Sequence, residues 1–292
     1  MGMEENPLTG LAFERVGVVG AGVIGTGVAH LFAQSGHNVT VIDNDPAQLE
    51  KARRNIARNA KLYSLLDKRA GPAQLMDRLR FESDFDRLQN MDFVIENITE
   101  NWELKRGVHE KIQRAVGPET PIVANTSAIP ITRFGSLYAH PHRVLGMHFM
   151  NPVPLMPMVE VIRGTHTSEA TLEAARALLR GAGRESIVVN DAPGFVTNRV
   201  MMLMVNEAVF LIHEGVAPAA DIDRLFKTCF GHKMGPLETA DLIGLDTVLR
   251  SIEVLYAELS DSKYRPCPLL RRMVYAGHTG RKSGRGFYVY EA

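Results

Sequence analysis

Residues 16–43 read V-G-V-V-G-A-G-V-I-G-T-G-V-A-H-L-F-A-Q-S-G-H-N-V-T-V-I-D. An apolar run, Val16, Val18 and Val19, meets glycines at Gly20, Gly22 and Gly25. A helical stretch to Gln34 follows, Gly36 breaks it, and the β-branched run Val39, Thr40, Val41, Ile42 ends at Asp43. This strand–turn–helix–strand context is the one in which G-x-G-x-x-G carries a mechanism. Gly20 permits the tight turn, Gly22 lets a pyrophosphate approach the backbone, and Gly25 lets helix and strand pack closely. The helix start offers free N–H groups and the positive end of its dipole to that phosphate. Asp43 stands 18 residues beyond Gly25, where an acid that accepts from ribose hydroxyls belongs. A glycine turn serving packing alone would need no acid there. The stretch predicts a dinucleotide site in which Gly20, Ala21, Gly22, Val23, Ile24, Gly25 and Asp43 meet the cofactor.

Composition sets the class. The chain of 292 residues has room for about two domains. Hydrophobic residues make up 45% and charged residues 23%, which excludes a disordered or fibrous chain. A formal net charge of +0 argues against a general nucleic-acid binder. Cys229 and Cys267 form neither a disulfide framework nor a metal-ligand spacing; both read as reduced core residues of a cytoplasmic protein. The opening ten residues lack the apolar segment of a signal peptide. The most apolar later stretch, 200–212, is interrupted by Asn206 and Glu207 and is too short to span a bilayer. No membrane and no nucleic-acid partner are expected.

Strands and helices alternate after Asp43. Asp45 caps a helix, Pro46 takes its first position, and Ala52, Ile56, Ala60 and Tyr63 recur at helical spacing. The opposite face is basic: Lys51, Arg53, Arg54, Arg58, Lys61, Lys68 and Arg69 against Asp67 alone. Such a run is commonly a solvated face, and it also suits a phosphorylated carrier. Residues 80–82, 91–95 and 121–124 read as strands, with a helix at 103–115; further strands fall at 144–148, 158–162 and 186–189. This alternation predicts a doubly wound parallel sheet with right-handed crossovers. Functional groups of such sheets collect beyond the carboxyl ends of the strands, here at 96–100 and 125–127.

Histidine supplies the chemistry. His148 ends one expected strand, Glu160 sits on the next, and Pro152, Pro154 and Pro157 fill the turn between them. A lone histidine is more often structural than catalytic. On adjacent strands, however, the carboxylate would face the imidazole, fix its tautomer and raise its basicity. Ser127 lacks the G-x-S-x-G context of an acyl-enzyme nucleophile, and no H-E-x-x-H or comparable metal pattern is present.

These motifs together resemble the NAD-dependent 3-hydroxyacyl-CoA dehydrogenases, including the bacterial 3-hydroxybutyryl-CoA type. The resemblance runs from about Arg15 to Tyr290. It is carried by G-A-G-V-I-G at 20–25, N-T-S at 125–127, G-M-H-F-M-N-P-V-P at 146–154 and V-E-V-I at 159–162. Further carriers are D-A-P-G-F-V-T-N-R at 191–199, M-G-P at 234–236, D-L-I-G-L-D at 241–246 and G-R-K-S-G-R-G-F-Y at 280–288. It implies an N-terminal Rossmann-type domain over 11–190, with a helical hairpin inserted at about 46–70, and an all-helical substrate and dimerisation domain over 191–292. It implies His148 as general base, Glu160 as its orienting partner, and Ser127 and Asn198 as hydrogen-bonding residues around substrate. It implies NAD contacts at Asp43, Glu100, Lys105, Ser127, Asn151 and Lys282, and a homodimer.

The second half fits that implication. Residues 191–194 read as a loop, and a helix with Met201, Met202 and Met204 begins near Phe195. Methionine at this spacing serves core or subunit interface. Residues 218–230 give a helix with Ile222, Leu225, Phe226 and Cys229 on one side; 243–259 and 269–276 complete the domain.

Two departures bear on substrate. Ala128 stands where the family carries a hydroxyl, beside the expected reacting centre. The segment N-A-K-L-Y-S-L-L-D-K-R-A-G at 59–71 does not align with the lysine–glycine–lysine pattern found near coenzyme A phosphates. Arg58, Lys61, Lys68 and Arg69 are the candidate contacts to the carrier. The expected substrate is a short L-3-hydroxyacyl-CoA. A hydroxyacyl group on an acyl carrier protein, a free hydroxy acid, and a crystallin-like binding role without catalysis stand as alternatives.

Overall fold

The computed structural model describes residues 12–63 and 72–291. The chain divides into two compact units, one ending at Asp191 and one beginning at Ala192.

The first unit is a doubly wound α/β fold. Its strands are β1 (Arg15–Val19), β2 (Asn38–Ile42), β3 (Leu79–Glu82), β4 (Phe93–Glu96), β5 (Ile122–Ala124), β6 (Val144–His148), β7 (Met158–Arg163) and β8 (Glu185–Asn190). They form one eight-stranded sheet in the order β3-β2-β1-β4-β5-β6-β7-β8. Every neighbouring pair is parallel except β6 and β7, which run antiparallel. Chain order reverses between β1 and β4, which opens a crevice at the carboxyl end of β1, where the glycine turn lies. The central strands are apolar on both faces, and Val16, Val18, Val41, Phe93, Ile95 and Val123 are fully buried. Continuous apolar runs of this kind are what a parallel sheet covered on both sides requires.

Helices α1 (Val23–Gln34), α2 (Pro46–Tyr63), α3 (Pro72–Asp77), α4 (Trp102–Ala115), α5 (Ile131–Gly135) and α6 (Glu169–Gly181) belong to this unit. The Asp45 carboxylate accepts from Ala47 N at 2.9 Å and fixes the start of α2. Leu49, Ala52, Ile56 and Ala60 are its buried face, while Lys51, Arg53, Arg54, Arg58 and Lys61 are exposed. The remainder of the expected hairpin, including Lys68 and Arg69, lies outside the described residues. Helices α3, α5 and α6 have no counterpart in the sequence reading. Ser168 caps α6 by accepting from Thr171 N at 3.2 Å, and Leu172, Ala175, Leu178 and Leu179 give it a buried face.

The second unit is helical: α7 (Thr197–His213), α8 (Ala219–Phe230), α9 (Pro236–Ile243), α10 (Leu245–Leu259) and α11 (Pro268–Tyr275). Its core holds Met202, Val205, Val209, Leu237, Val248 and Leu255. Two expectations change here. The helix anticipated over 243–259 is α10, which starts two residues later because Gly244, at φ +100°, separates it from the unanticipated α9. The face of α8 anticipated as packed buries Ile222, half-buries Phe226 and leaves Leu225 at 56% exposure, with Phe230 beside it at 70%. Cys229 is exposed with them; only Cys267 is a core cysteine.

Candidate active site

The crevice beside β1 is built by backbone. Gly20 turns with φ +95°, and its N–H donates to Ile42 O at 2.8 Å, tying the turn to the end of β2. A methyl group on Gly25 would meet Gly20 O at 1.8 Å, so helix and turn touch main chain to main chain. A methyl group on Gly22 would meet nothing within 4 Å, which leaves that face open to a ligand. Gly22 also starts α1, and no side chain caps the helix. Its first N–H groups suit an anion. Asp43 Oδ2 accepts from Ala21 N at 2.8 Å and Oδ1 from Asp45 N at 3.0 Å. Its carboxylate therefore stands at the rim of a cavity of about 540 Å³ that Gly20, Gly22, Ile98, Leu104 and Val108 also line. An open backbone turn, an anion-seeking helix start and an acid beside an apolar slot together fit a dinucleotide.

The loop after β5 is held by one carboxylate and two side-chain amides. Glu100 Oε1 accepts from Thr126 Oγ1 at 2.5 Å and from the amides of Ser127 and Ala128 at 3.1 Å each. Asn125 Nδ2 donates to Asn97 Oδ1 at 2.8 Å, and Asn125 Oδ1 accepts from Phe149 N at 3.3 Å, joining the exits of β4, β5 and β6. Ser127 remains partly accessible beyond β5. Ala128 is fully buried, so the hydroxyl it lacks would not stand at an open surface.

One strand further along, the β6–β7 register pairs His148 with Glu160. Nδ1 of His148 lies 3.1 Å from Glu160 Oε2, with side-chain exposures of 12% and 6%. A carboxylate in this place favours the tautomer protonated on Nδ1 and leaves Nε2 as the basic nitrogen. Because β5 and β6 are parallel neighbours, Ser127 and His148 both emerge at the carboxyl edge of the sheet.

Other singled-out residues have their own places. Val23 is 73% exposed at the start of α1, Ile24 is half-buried and Ala21 is buried. Asn151 is exposed in the turn after β6. Lys105, anticipated as a cofactor contact, is fully buried; its ammonium donates to Glu96 Oε1 at 2.9 Å and to Asn125 O at 2.9 Å. A buried ammonium needs its counter-charge close, and Glu96 supplies it. In the second unit, Asn198 is buried in the first turn of α7, and Lys282 donates to Asp246 Oδ2 at 2.7 Å.

Sequence reasoning did not find His109, Tyr138 and Asp191. His109 Nε2 stands 3.0 Å from Glu96 Oε2, and the Asp191 carboxylate accepts from the amides of Ile131 and Thr132 at 2.8 and 2.7 Å. The i, i+4 spacing of Lys105 and His109 on α4 was the available signal.

Comparison with known proteins agrees with this architecture. Residues 15–192 match the family model of the 3-hydroxyacyl-CoA dehydrogenase NAD-binding domain, and residues 194–290 match the C-terminal domain of the same family. A probable 3-hydroxybutyryl-CoA dehydrogenase of Bacillus subtilis is 43% identical over 96% of this chain and 99% of its own length. A second, from Deinococcus radiodurans, is 44% identical over 94% of this chain and 100% of its own. Among solved structures, the (S)-3-hydroxybutyryl-CoA dehydrogenase of Ralstonia eutropha superposes with a TM-score of 0.90 at 41% identity, covering 96% of this chain and 100% of that one.

Proposed function

Because this chain belongs to the 3-hydroxyacyl-CoA dehydrogenase family, and so is an NAD-dependent oxidoreductase of 3-hydroxyacyl-CoA thioesters, we propose that it interconverts short (S)-3-hydroxyacyl-CoA and 3-oxoacyl-CoA with His148 as the general base. The observation that carries this reading is the His148–Glu160 pair, Nδ1 to Oε2 at 3.1 Å, on neighbouring strands at the sheet edge. Asp43 would hold the adenosine ribose, and the Gly20–Gly22–Gly25 turn with the start of α1 would hold the pyrophosphate. NAD, when bound, supplies the hydride acceptor. His148 Nε2 takes the proton of the substrate hydroxyl, and returns it in the reverse direction. Glu160 keeps the imidazole oriented and favours its protonated form while that proton is held. Ser127 and Asn198 hydrogen-bond the substrate; Glu100 contributes by fixing the amides of Ser127 and Ala128. The short acyl chain and the (S) epimer follow the relatives, among them the (S)-3-hydroxybutyryl-CoA dehydrogenase of Ralstonia eutropha. Nicotinamide absorbance with (S)- against (R)-3-hydroxybutyryl-CoA tests the assignment, and an exclusive preference for the (R) epimer would overturn it.

A second reading of the carrier has one observation behind it: five cations, Lys51, Arg53, Arg54, Arg58 and Lys61, are exposed along α2. A row of this length suits the acidic surface of an acyl carrier protein as well as the phosphates of coenzyme A. Coenzyme A remains the preferred carrier. Charge reversal at Arg54, Arg58 and Lys61 separates the two: an unchanged KM for acetoacetyl-CoA with loss of rate on the carrier-protein thioester would favour the second. We also assign a homodimer, supported by the apolar exposure of Val200, Val216, Leu225 and Phe230 in the second unit; sedimentation as a monomer at micromolar concentration would contradict it. The two free thiols suit the reducing cytoplasm. Among the described residues, no helix is long and apolar enough to cross a membrane.

A further inference from the structure

We propose that Glu96, Lys105, His109 and Tyr138 form a buried positioning unit that sets the 125–128 loop and, through it, Ser127. This inference rests on the active-site reading above, because it concerns how that site is held.

Three separate segments contribute. Glu96 is the last residue of β4, Lys105 and His109 lie one turn apart on α4, and Tyr138 follows α5. Glu96, Lys105 and His109 side chains have 0% exposure. Both Glu96 oxygens are occupied: Oε1 accepts from Ile98 N at 2.6 Å and Lys105 Nζ at 2.9 Å, Oε2 from Lys105 Nζ at 3.0 Å and His109 Nε2 at 3.0 Å. Burial pushes this carboxyl up, but Lys105 and His109 more than offset that and hold it below its ordinary value. Tyr138 Oη lies 2.6 Å from His109 Nδ1. With the phenol donating to Nδ1, Nε2 carries the proton and donates to Glu96, so one hydroxyl selects the tautomer that the carboxylate needs. Burial pushes the Tyr138 phenol well above its ordinary value, which keeps it a donor. The remaining charges near the unit are Glu100, whose Oε2 is 3.9 Å from Lys105 Nζ, and Arg143, stacked 5.6 Å over the Tyr138 ring.

A buried ion pair of this kind stabilises a fold poorly, since its desolvation cost consumes most of its attraction. Its value here lies in what it holds. The third direction of the Lys105 ammonium is the carbonyl of Asn125, two residues before Ser127. Glu100 grips the next three residues of the same loop from the other end. The loop is thus held at Asn125 by Lys105 and at Thr126, Ser127 and Ala128 by Glu100, and His109 with Tyr138 fixes the Glu96 carboxylate that anchors Lys105.

The test compares His109→Phe, Tyr138→Phe and His109→Gln, with His148→Gln alongside. Amide hydrogen exchange of the cofactor-free protein is read at Ser127 and Ala128, with Val41 in β2 as an internal reference. Both phenylalanine variants should speed exchange at Ser127 and Ala128 by about tenfold, the factor that a lost buried hydrogen bond corresponds to, without change at Val41. Their kcat should fall about tenfold, because the lost bond acts on the loop that carries Ser127. His109→Gln, whose amide can donate to Glu96 and accept from Tyr138, should restore both readouts. Normal exchange at Ser127 and normal kcat in Tyr138→Phe would overturn the proposal; that variant removes one oxygen atom and carries the test if His109→Phe does not fold. His148→Gln separates the two claims. Undiminished turnover in that variant would defeat the active-site reading and leave the exchange result to judge the positioning unit.

Discussion

His148 and Glu160 are direct partners across the antiparallel β6–β7 pair, imidazole Nδ1 to carboxylate Oε2 at 3.1 Å, both largely withdrawn from water. A pair so placed acts as one unit. Glu160→Gln should lower kcat by a factor of about 10 to 10², because the imidazole keeps its nitrogen but loses its orienting charge. Adding it to His148→Gln should cost less than about threefold more, since effects within one unit are not multiplicative. Kinetics of the four proteins at saturating substrate check this, and fully multiplicative losses would show two independent roles.

Cofactor preference rests on Asp43. Its carboxylate is fixed by Ala21 N and Asp45 N at the rim of the cavity, and Asn44 follows it, so no arginine adjoins it to receive a 2′-phosphate. NADH should exceed NADPH in kcat/KM by about 10² or more, the size of effect expected when a carboxylate meets a phosphate in place of two hydroxyls. Asp43→Ser should raise KM for NADH and narrow that ratio. Equal efficiency with both reduced cofactors in the unmodified protein would remove Asp43 from its assigned role.

Gly25 has no room for a side chain, as its added methyl would fall 1.8 Å from Gly20 O, a backbone atom that cannot swing aside. Gly25→Ala should therefore cost about 3 kcal/mol or more and abolish NAD binding. Gly22→Ala, with open space before it, should leave urea stability within about 0.5–1 kcal/mol and weaken NAD binding alone. Equal loss of stability in both variants would contradict the different duties given to the two glycines.

Acid should weaken the first unit through two buried histidines. Desolvation lowers His30 and His37 to about 4, in His37 against a partly opposing hydrogen bond to Phe32 O. Above their ordinary value near 6.5 both are neutral in folded and unfolded chains and contribute nothing to the pH dependence. As pH falls from 6.5 to 4 only the unfolded chain takes up these protons, so stability drops, by at most about 3 kcal/mol per histidine, and levels off below 4. Urea titrations at pH 7, 5.5 and 4.5 should show this fall, and His30→Leu should flatten it; an unchanged slope in that variant would mean that other groups carry the acid sensitivity.

Much of this was legible because it is local. The β1–α1–β2 stretch announces itself through buried runs and glycine spacing, and the proline-rich turn at 152–157 already brings His148 and Glu160 onto neighbouring strands. What escaped depends on distance or on a single torsion. His109 meets Tyr138 across 29 residues, and no periodicity reports such a contact. The ending of α9 follows from the positive φ of Gly244 within an apolar pattern that continues through it. The exposure of Leu225, Cys229 and Phe230 shows that an amphipathic stripe marks a surface to be covered without saying whether its own unit covers it. Helix α6 was readable, since Ser168 before an apolar period is a start signal.

The most direct test follows nicotinamide absorbance during oxidation of saturating (S)-3-hydroxybutyryl-CoA by the unmodified protein and by His148→Gln, with NAD affinity measured on both. His148 as general base predicts turnover lower by a factor of about 10² to 10⁴ with NAD affinity unchanged. Turnover in His148→Gln within about twofold of the unmodified protein, less than any lost general base costs, would contradict the account.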